Sequence, residues 1–216
     1  MARIHSRFSQ EVVDEHRGID YYAKAEGWLA PFWNQPWPFR DLFDRLDLSR
    51  TVDLACGHGR HTAQIIDRAG AIILVDANQA NIDACRKRFA RRKNVSYYKT
   101  TGNELDGLES SSCSSVFSYD SMVHFEALDV IDYLREISRV LRPGGLALLH
   151  YSNFEAFPQN SFKVNPHWRN FFSRKMMVHF ATRFSLEALE NRVIDWPPEG
   201  GGTPELDAVA LLRRSS

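Results

Sequence analysis

The stretch Val52-Asp53-Leu54-Ala55-Cys56-Gly57-His58-Gly59-Arg60-His61 joins residue types and spacings that could do chemistry. An apolar run broken by one acid, Asp53, leads into two glycines one residue apart. Lacking a Cβ, Gly57 and Gly59 let the backbone turn sharply and approach a ligand closely. A helix-period segment, Thr62 to Ala69, follows. Its first turn would offer free N–H groups and a positive dipole end. A second apolar run, Ile72 to Val75, ends in Asp76, where a carboxylate can accept both hydroxyls of a ribose. Asp76 lies about 23 residues after Asp53, close to the ~20 expected for a ribose acid. Strand, tight turn, helix, strand and closing acid make half of a nucleotide-binding α/β sheet. Thr62 stands where a dinucleotide fingerprint has its third glycine, so G-x-G-x-x-G is incomplete.

Further along, a fourth strand, Ser115 to Tyr119, exits into Asp120-Ser121-Met122-Val123-His124-Phe125. Ligands of open α/β sheets sit outside the carboxyl ends of the strands. Tyr119, Asp120 and His124 therefore become candidates. The unperturbed pKa of histidine is near neutrality, which makes His124 the first candidate for a general base and Asp120 the second. His150 and His61 are weaker ones. A purely structural role stands beside the catalytic one for each of them.

The remaining chain supplies the elements that must position these groups. Gln79 to Ala90 reads as a helix with Ile82, Cys85 and Phe89 on one face. Val95 to Lys99 reads as a third strand, leading to Gly102-Asn103-Glu104. Asp106 to Ser115 is a Ser-rich loop. Asp129 to Leu141 is an amphipathic helix with Val130, Leu134, Ile137 and Leu141 on its apolar face, stopped by Arg142-Pro143-Gly144-Gly145. Leu146 to His150 is a fifth strand. Tyr151 to Asn170 is a long polar-aromatic loop, read as a substrate-side lid. Phe171 to Phe184 reads as a helix and Leu186 to Trp196 as a strand. Pro197 to Pro204 is a loop and Leu206 to Leu212 the last strand. Before the first core strand, Met1 to Ser49 is rich in aromatics (Tyr21, Tyr22, Trp28, Phe32, Trp33, Trp37, Phe39, Phe43) and broken by Pro31, Pro36 and Pro38. It predicts helices around Ile19 to Leu29 and Phe39 to Leu46. Its rings could pack on the sheet or shape a cleft, or both.

The Val52 to Gly59 run resembles the first motif of class I S-adenosylmethionine-dependent methyltransferases. The segment Leu134-Arg-Glu-Ile-Ser-Arg-Val-Leu-Arg-Pro-Gly-Gly-Leu-Ala-Leu-Leu149 is a second hallmark of that family, independent of the glycine turn. The resemblance covers Thr51 to Tyr151 well and the rest loosely. It implies a Rossmann-like three-layer αβα sandwich: a seven-stranded, mostly parallel sheet with the last strand antiparallel, plus an aromatic-rich N-terminal helical extension. It implies a cap over residues 1–49 and a methyltransferase domain over 50–216. It implies S-adenosylmethionine as cofactor, bound by Asp53, Ala55, Gly57, Gly59, His61, Asp76, Ala77, Asn103, Glu104 and Tyr119. Asn103 stands where the family commonly has an adenine-binding Asp; its amide can still pair with the adenine edge. Metal-dependent relatives carry an Asp-Asn pair after strand five, where this chain has Ser152-Asn153, so no metal is expected.

Composition narrows the partners. The chain has 216 residues, 27 Lys+Arg and 27 Asp+Glu, so its net charge is zero and a long phosphate-backbone contact is not expected. The basic run from Arg86 to Lys93 reads as a solvated helix face. Three cysteines, Cys56, Cys85 and Cys113, without CxxC spacing, argue against a disulfide scaffold or a zinc site. Nothing resembles a membrane span or a signal-peptide core, so a cytoplasmic monomer or homodimer is expected. The expected reaction is methyl transfer to a hydroxyl or amine of a small organic molecule in an enclosed pocket. Three alternatives stay open: a non-catalytic cofactor-binding module, a nicotinamide-dependent oxidoreductase, and a nucleic-acid methyltransferase. Thr62 argues against the oxidoreductase. Tyr119-Asp120-Ser121-Met122, in place of an Asn/Asp-Pro-Pro-aromatic signature, argues against the nucleic-acid enzyme.

Overall fold

The computed structural model describes residues 7–17, 19–34, 38–197 and 202–216. Pro36, Trp37 and part of the expected 197–204 loop lie outside the described residues. Seven strands form one sheet: β1 Thr51–Leu54, β2 Ile72–Asp76, β3 Val95–Lys99, β4 Cys113–Ser118, β5 Leu141–Ser152, β6 Leu186–Trp196 and β7 Thr203–Arg214. Their order is β3-β2-β1-β4-β5-β7-β6. The first five are mutually parallel, and β7 runs antiparallel to both β5 and β6. The Rossmann-like expectation, last strand included, matches this sheet.

Strand periodicity divides the core in two. Val52 and Leu54 of β1, Ile73 and Val75 of β2, and Ala208, Ala210 and Leu212 of β7 face one side. There they meet the buried stripe Val130, Tyr133, Leu134, Ile137 and Val140 of α7 (Ala127–Val140), and Met177 and Ala181 of α8 (Arg174–Arg183). The alternate residues, among them Ile72, Leu74, Val209 and Leu211, face the other side. That side is covered by Ile65 of α5 (Thr62–Ile65) and by Ile82 and Cys85 of α6 (Gln79–Arg88). Phe32 of α3 (Ala30–Trp33), and Phe39, Leu42 and Phe43 of α4 (Pro38–Phe43), pack into the same layer. The aromatics of the N-terminal segment are therefore partly ordinary core.

Several elements differ from expectation. The N-terminal segment begins with a helix absent from the sequence reading, α1 (Arg7–Glu15), followed by α2 (Ile19–Ala25). α2 ends in a Glu26-Gly27 turn instead of running on to Leu29. α5 is one turn of regular helix, then bends through Ala69 to Gly70, where a Cβ would come 2.6 Å from the Ser49 carbonyl oxygen. α7 stops at Val140, and β5 starts at once at Leu141, so Arg142-Pro143-Gly144-Gly145 lies inside the strand's span. Cys113 pairs with Leu141 and Ser115 with Leu146, so the Pro-Gly-Gly segment is a bulge. The loop after β5 starts at Asn153 and carries two short 3-10 turns, Phe162–Val164 and Pro166–Trp168. It is tied down: Arg169, 2% exposed, makes a two-toothed ion pair with the fully buried Asp207 of β7, at 2.7 and 2.5 Å.

Candidate active site

A cavity opens at the carboxyl ends of β1, β2 and β4 and encloses about 1010 Å³ counted out to its mouth. Its floor is the glycine turn. Ala55 (φ 59°) and Gly57 (φ 54°) both take left-handed backbone there. Asp53 lies below the turn, 2% exposed, and accepts the Thr62 hydroxyl at 2.6 Å. Burial pushes its carboxyl up to about 7. Asp53 thus ties strand to helix without lining the cavity. Gly59 does not line it either: a Cβ there would meet the Phe89 ring at 2.5 Å, so this glycine serves close helix packing. A Cβ on Gly57 would point at the Tyr22 ring, 2.8 Å away.

Asp76 closes β2 at the cavity wall. Its Oδ2 accepts the Gly57 amide at 2.9 Å, while Oδ1 accepts the Asn78 amide at 2.7 Å and Asn81 Nδ2 at 3.1 Å. Burial outweighs these donors and raises the carboxyl to about 6. Oδ2 keeps acceptor capacity toward the cavity beside Ala77. Asn81 also donates to Tyr22 Oη at 2.7 Å, and the Tyr22 ring stacks on His58 at 4.4 Å. Tyr21, Tyr22 and Ala25 of α2 and Val12 of α1 roof the cavity.

The opposite wall comes from the chain after β4. Tyr119 is buried and donates to the Phe39 carbonyl at 3.3 Å. Asp120 takes a left-handed conformation (φ 54°), which aims its carboxylate back at the turn. There Arg60 Nη2 meets it at 2.7 Å, and Arg60 Nη1 donates to the Ala25 carbonyl at 2.7 Å. The Asp120 amide donates to His150 Nδ1 at 3.1 Å. The proton of His150 is therefore on Nε2, which reaches Asp207 at 2.9 Å. A chain of polar contacts runs from Arg169 through Asp207 and His150 to Asp120, and on through Arg60 to α2. His150 lies under the site and orients Asp120.

His61 lines the cavity while fully embedded. Its Nδ1 accepts Trp33 Nε1–H at 3.0 Å, so Nε2 carries the proton and has no partner. Burial holds its pKa well below the ordinary value. His124 Nδ1 donates to the Trp168 carbonyl at 2.7 Å, and its pKa is likewise held down by burial. On the remaining side, Gly102, Asp129 and Tyr133 line the cavity. Asn103 sits behind them, its Nδ2 donating to Asp129 Oδ1 at 3.4 Å. Glu104 organises its own turn, accepting Tyr98 Oη at 2.6 Å and the Thr101 amide at 2.8 Å.

Among the sequence candidates, the cavity thus gathers Ala55, Gly57, His61, Asp76, Ala77, Tyr119, Asp120 and His124. Asp53, Gly59, Asn103 and Glu104 stand one layer behind. Sequence reasoning missed His16 and Arg60, and gave Tyr21 and Tyr22 only as rings that could shape a cleft. Arg60 had a signal, since it falls inside the glycine motif. The other three depend on where α1 and α2 fold. Among the described residues no group of three or more His, Cys, Asp or Glu could hold a metal, and no helix is long and apolar enough to cross a membrane.

The strand order, the glycine turn and the acid closing β2 define a nucleotide-cofactor α/β fold. Residues 51–145 match the family described as a methyltransferase domain. The match spans less than half of the chain, and the fold around it is the Rossmann-like methyltransferase fold. It is 27% identical over 143 residues to the biotin biosynthesis bifunctional protein BioHC of Cellvibrio japonicus, covering 66% of this chain and 27% of that protein. Two solved structures share the fold. The geranyl diphosphate C-methyltransferase of Streptomyces coelicolor A3(2), crystallised with S-adenosyl-L-homocysteine, has a TM-score of 0.71 at 13% identity, over 97% of this chain and 98% of that one. The cyclase SpnF has a TM-score of 0.72 at 13% identity, over 99% of both chains. The chain spans between 20% and 48% of the length of the curated relatives it matches.

Proposed function

We propose that this chain transfers a methyl group from S-adenosylmethionine to a hydroxyl or amine of a small organic molecule. The observation that carries the reading is Asp76 facing the left-handed Gly57 turn across one cavity at the carboxyl ends of β1 and β2. That is where open α/β sheets hold nucleotide ligands. Oδ2 of Asp76 would take a ribose hydroxyl, and the unpaired Nε2–H of His61 would donate to an acceptor atom of the cofactor. Ala55, Gly57, Ala77 and Tyr119 would form its walls. Asp53, Gly59, Asn103 and Glu104 would hold those walls in place. When bound, the cofactor supplies an electrophilic methyl on a sulfonium; the protein's part is chiefly to align an acceptor with it. The roof formed by α1 and α2 supports residues 1–49 as a cap on a methyltransferase domain at 50–216. A roofed, ring-lined cavity and zero net charge favour a small acceptor over a polymer.

Calorimetric titration with S-adenosylmethionine and S-adenosylhomocysteine tests this. Saturable binding, weakened at least tenfold by Asp76→Ala, is expected. No binding to the wild-type protein at millimolar cofactor would overturn the proposal.

A further inference from the structure

Two imidazoles meet in the cavity wall. His16 closes the turn after α1, and His124 lies in the 3-10 turn Met122–His124 after β4. Their ring centroids are 4.7 Å apart. His16 Nδ1 contacts the Val12 carbonyl at 2.7 Å, as His124 Nδ1 contacts that of Trp168. A carbonyl only accepts, so both rings carry their proton on Nδ1 and a lone pair on Nε2. His16 Nε2 is buried and has no hydrogen-bond partner. A buried acceptor left unpaired is costly in a folded chain. Aromatic surface surrounds the pair: Tyr21 and Trp168 stand edge-on to His16 at 5.8 and 5.9 Å, and Phe162 stacks at 6.2 Å.

We infer that His16 and His124 together recognise the nucleophilic group of the methyl acceptor as an uncharged O–H or N–H donor, and that His16 takes its proton. This rests on the methyl-transfer reading above. Two adjacent lone pairs in an apolar wall repel a carboxylate or phosphate and leave a thioether, tertiary amine or pyridine without a partner. A neutral hydroxyl donates to one of them, and a primary amine can donate to both. In the transfer, the acceptor's oxygen or nitrogen bonds to the methyl carbon. The carbon–sulfur bond breaks with its electron pair staying on sulfur, and the acceptor's proton passes to Nε2.

The surrounding charges divide the labour. Asp120 and Glu15 both favour a proton on His16, although burial still lowers its pKa. His124 has burial, then His16 and Arg169, against a proton, and the Trp168 carbonyl and Asp207 in favour. The cation is therefore better tolerated on His16, and His124 orients the acceptor. No sequence motif marked His16, because it is brought to the site only by the folding of α1.

The test compares phenol with anisole, which share a ring but differ in the donor hydrogen. Protein saturated with S-adenosylhomocysteine is titrated with each, and histidine side chains are followed by long-range 15N correlation. Phenol is expected to bind at least tenfold more tightly than anisole and to shift the Nε2 resonance of His16. His16→Phe keeps a ring, gives up only a local bond to Val12, and should erase the difference while S-adenosylhomocysteine affinity stays within about twofold. Equal binding of phenol and anisole, no phenol binding, or an unchanged preference in His16→Phe overturns the inference. Loss of S-adenosylhomocysteine binding by the wild type is a separate result, which defeats the underlying methyl-transfer reading instead.

Discussion

Arg60 Nη2 lies 2.7 Å from Asp120 Oδ2, with side chains only 11% and 8% exposed. This pair ties the glycine turn to the loop after β4, and Arg60 Nη1 carries the link to the end of α2. Removing one partner of such a pair strands a buried charge, at a cost of about 3–5 kcal/mol. Arg60→Met should therefore lose at least ~3 kcal/mol in denaturant unfolding. Arg60→Met/Asp120→Asn should recover part of that loss, because the stranded carboxylate is gone. Strictly additive losses in this double-mutant cycle would show that the two side chains are not coupled.

The two glycines of the turn should fail in different ways. Both sit at positive φ, so alanine costs roughly 1–2 kcal/mol of backbone strain at either place. Beyond that, a Cβ at Gly59 strikes the Phe89 ring inside the core, while one at Gly57 strikes Tyr22 at the cavity roof. Gly59→Ala should thus lower the melting temperature by several degrees more than Gly57→Ala. Gly57→Ala should weaken S-adenosylhomocysteine binding at least tenfold, and Tyr22→Ala on that background should restore part of it. Equal melting temperatures for the two single variants would contradict the division of roles.

The motif from Asp53 to Asp76 was legible because local chemistry dictates it: a left-handed turn needs glycine, and a strand end beside it needs an acid. The sheet was legible through its period-2 apolar runs and the α7 stripe. What escaped was set by side-chain and strand pairings that spacing does not show. The chain holds Gly102-Asn103-Glu104 where a cofactor contact was expected, yet Glu104 is consumed by Tyr98 and Thr101, so only Gly102 of the three reaches the cavity. Arg142-Pro143-Gly144-Gly145 reads as a helix stop, but pairing of Leu141 with Cys113 draws it into a bulged strand. Residues 151–170 read as a substrate-side lid, but Arg169 is anchored to Asp207 from the far end of the sequence. His16 has no local signature at all.

The roof formed by α1 and α2 is tied at both edges by exposed ion pairs. Arg88 grips Glu26 at 2.5 and 3.2 Å, and Lys163 pairs with Glu15 and with Glu11. Pairs at this exposure add little to global stability and are screened by salt. They hold the roof down, however, so they should govern how fast ligand leaves. In Glu15→Gln/Glu26→Gln, S-adenosylhomocysteine dissociation measured by stopped flow should be about 2–10-fold faster at low salt. The melting temperature should stay nearly unchanged. The wild-type rate should rise toward that of the variant as salt is added. A dissociation rate indifferent to both changes would mean that ligand leaves without moving α1 and α2.

Burial sets opposite pH signatures for the acids and the imidazoles. Asp53 is raised to about 7 in the folded chain, above its ordinary unfolded value near 3.8. The folded state then holds the proton more tightly. Its contribution to stability is present below about pH 4 and is lost as pH rises toward 7, on the order of 1.4 kcal/mol per pKa unit. His16 and His124 are lowered, so theirs is present above about 6.5 and is lost as pH falls below it. Asp53→Asn keeps an acceptor for the Thr62 hydroxyl but has no proton to release. In urea unfolding between pH 5 and 8, the variant should gain stability relative to wild type as pH rises. His16→Phe should instead gain relative to wild type as pH falls. A difference between Asp53→Asn and wild type that stays constant across this range would show that Asp53 does not titrate with folding.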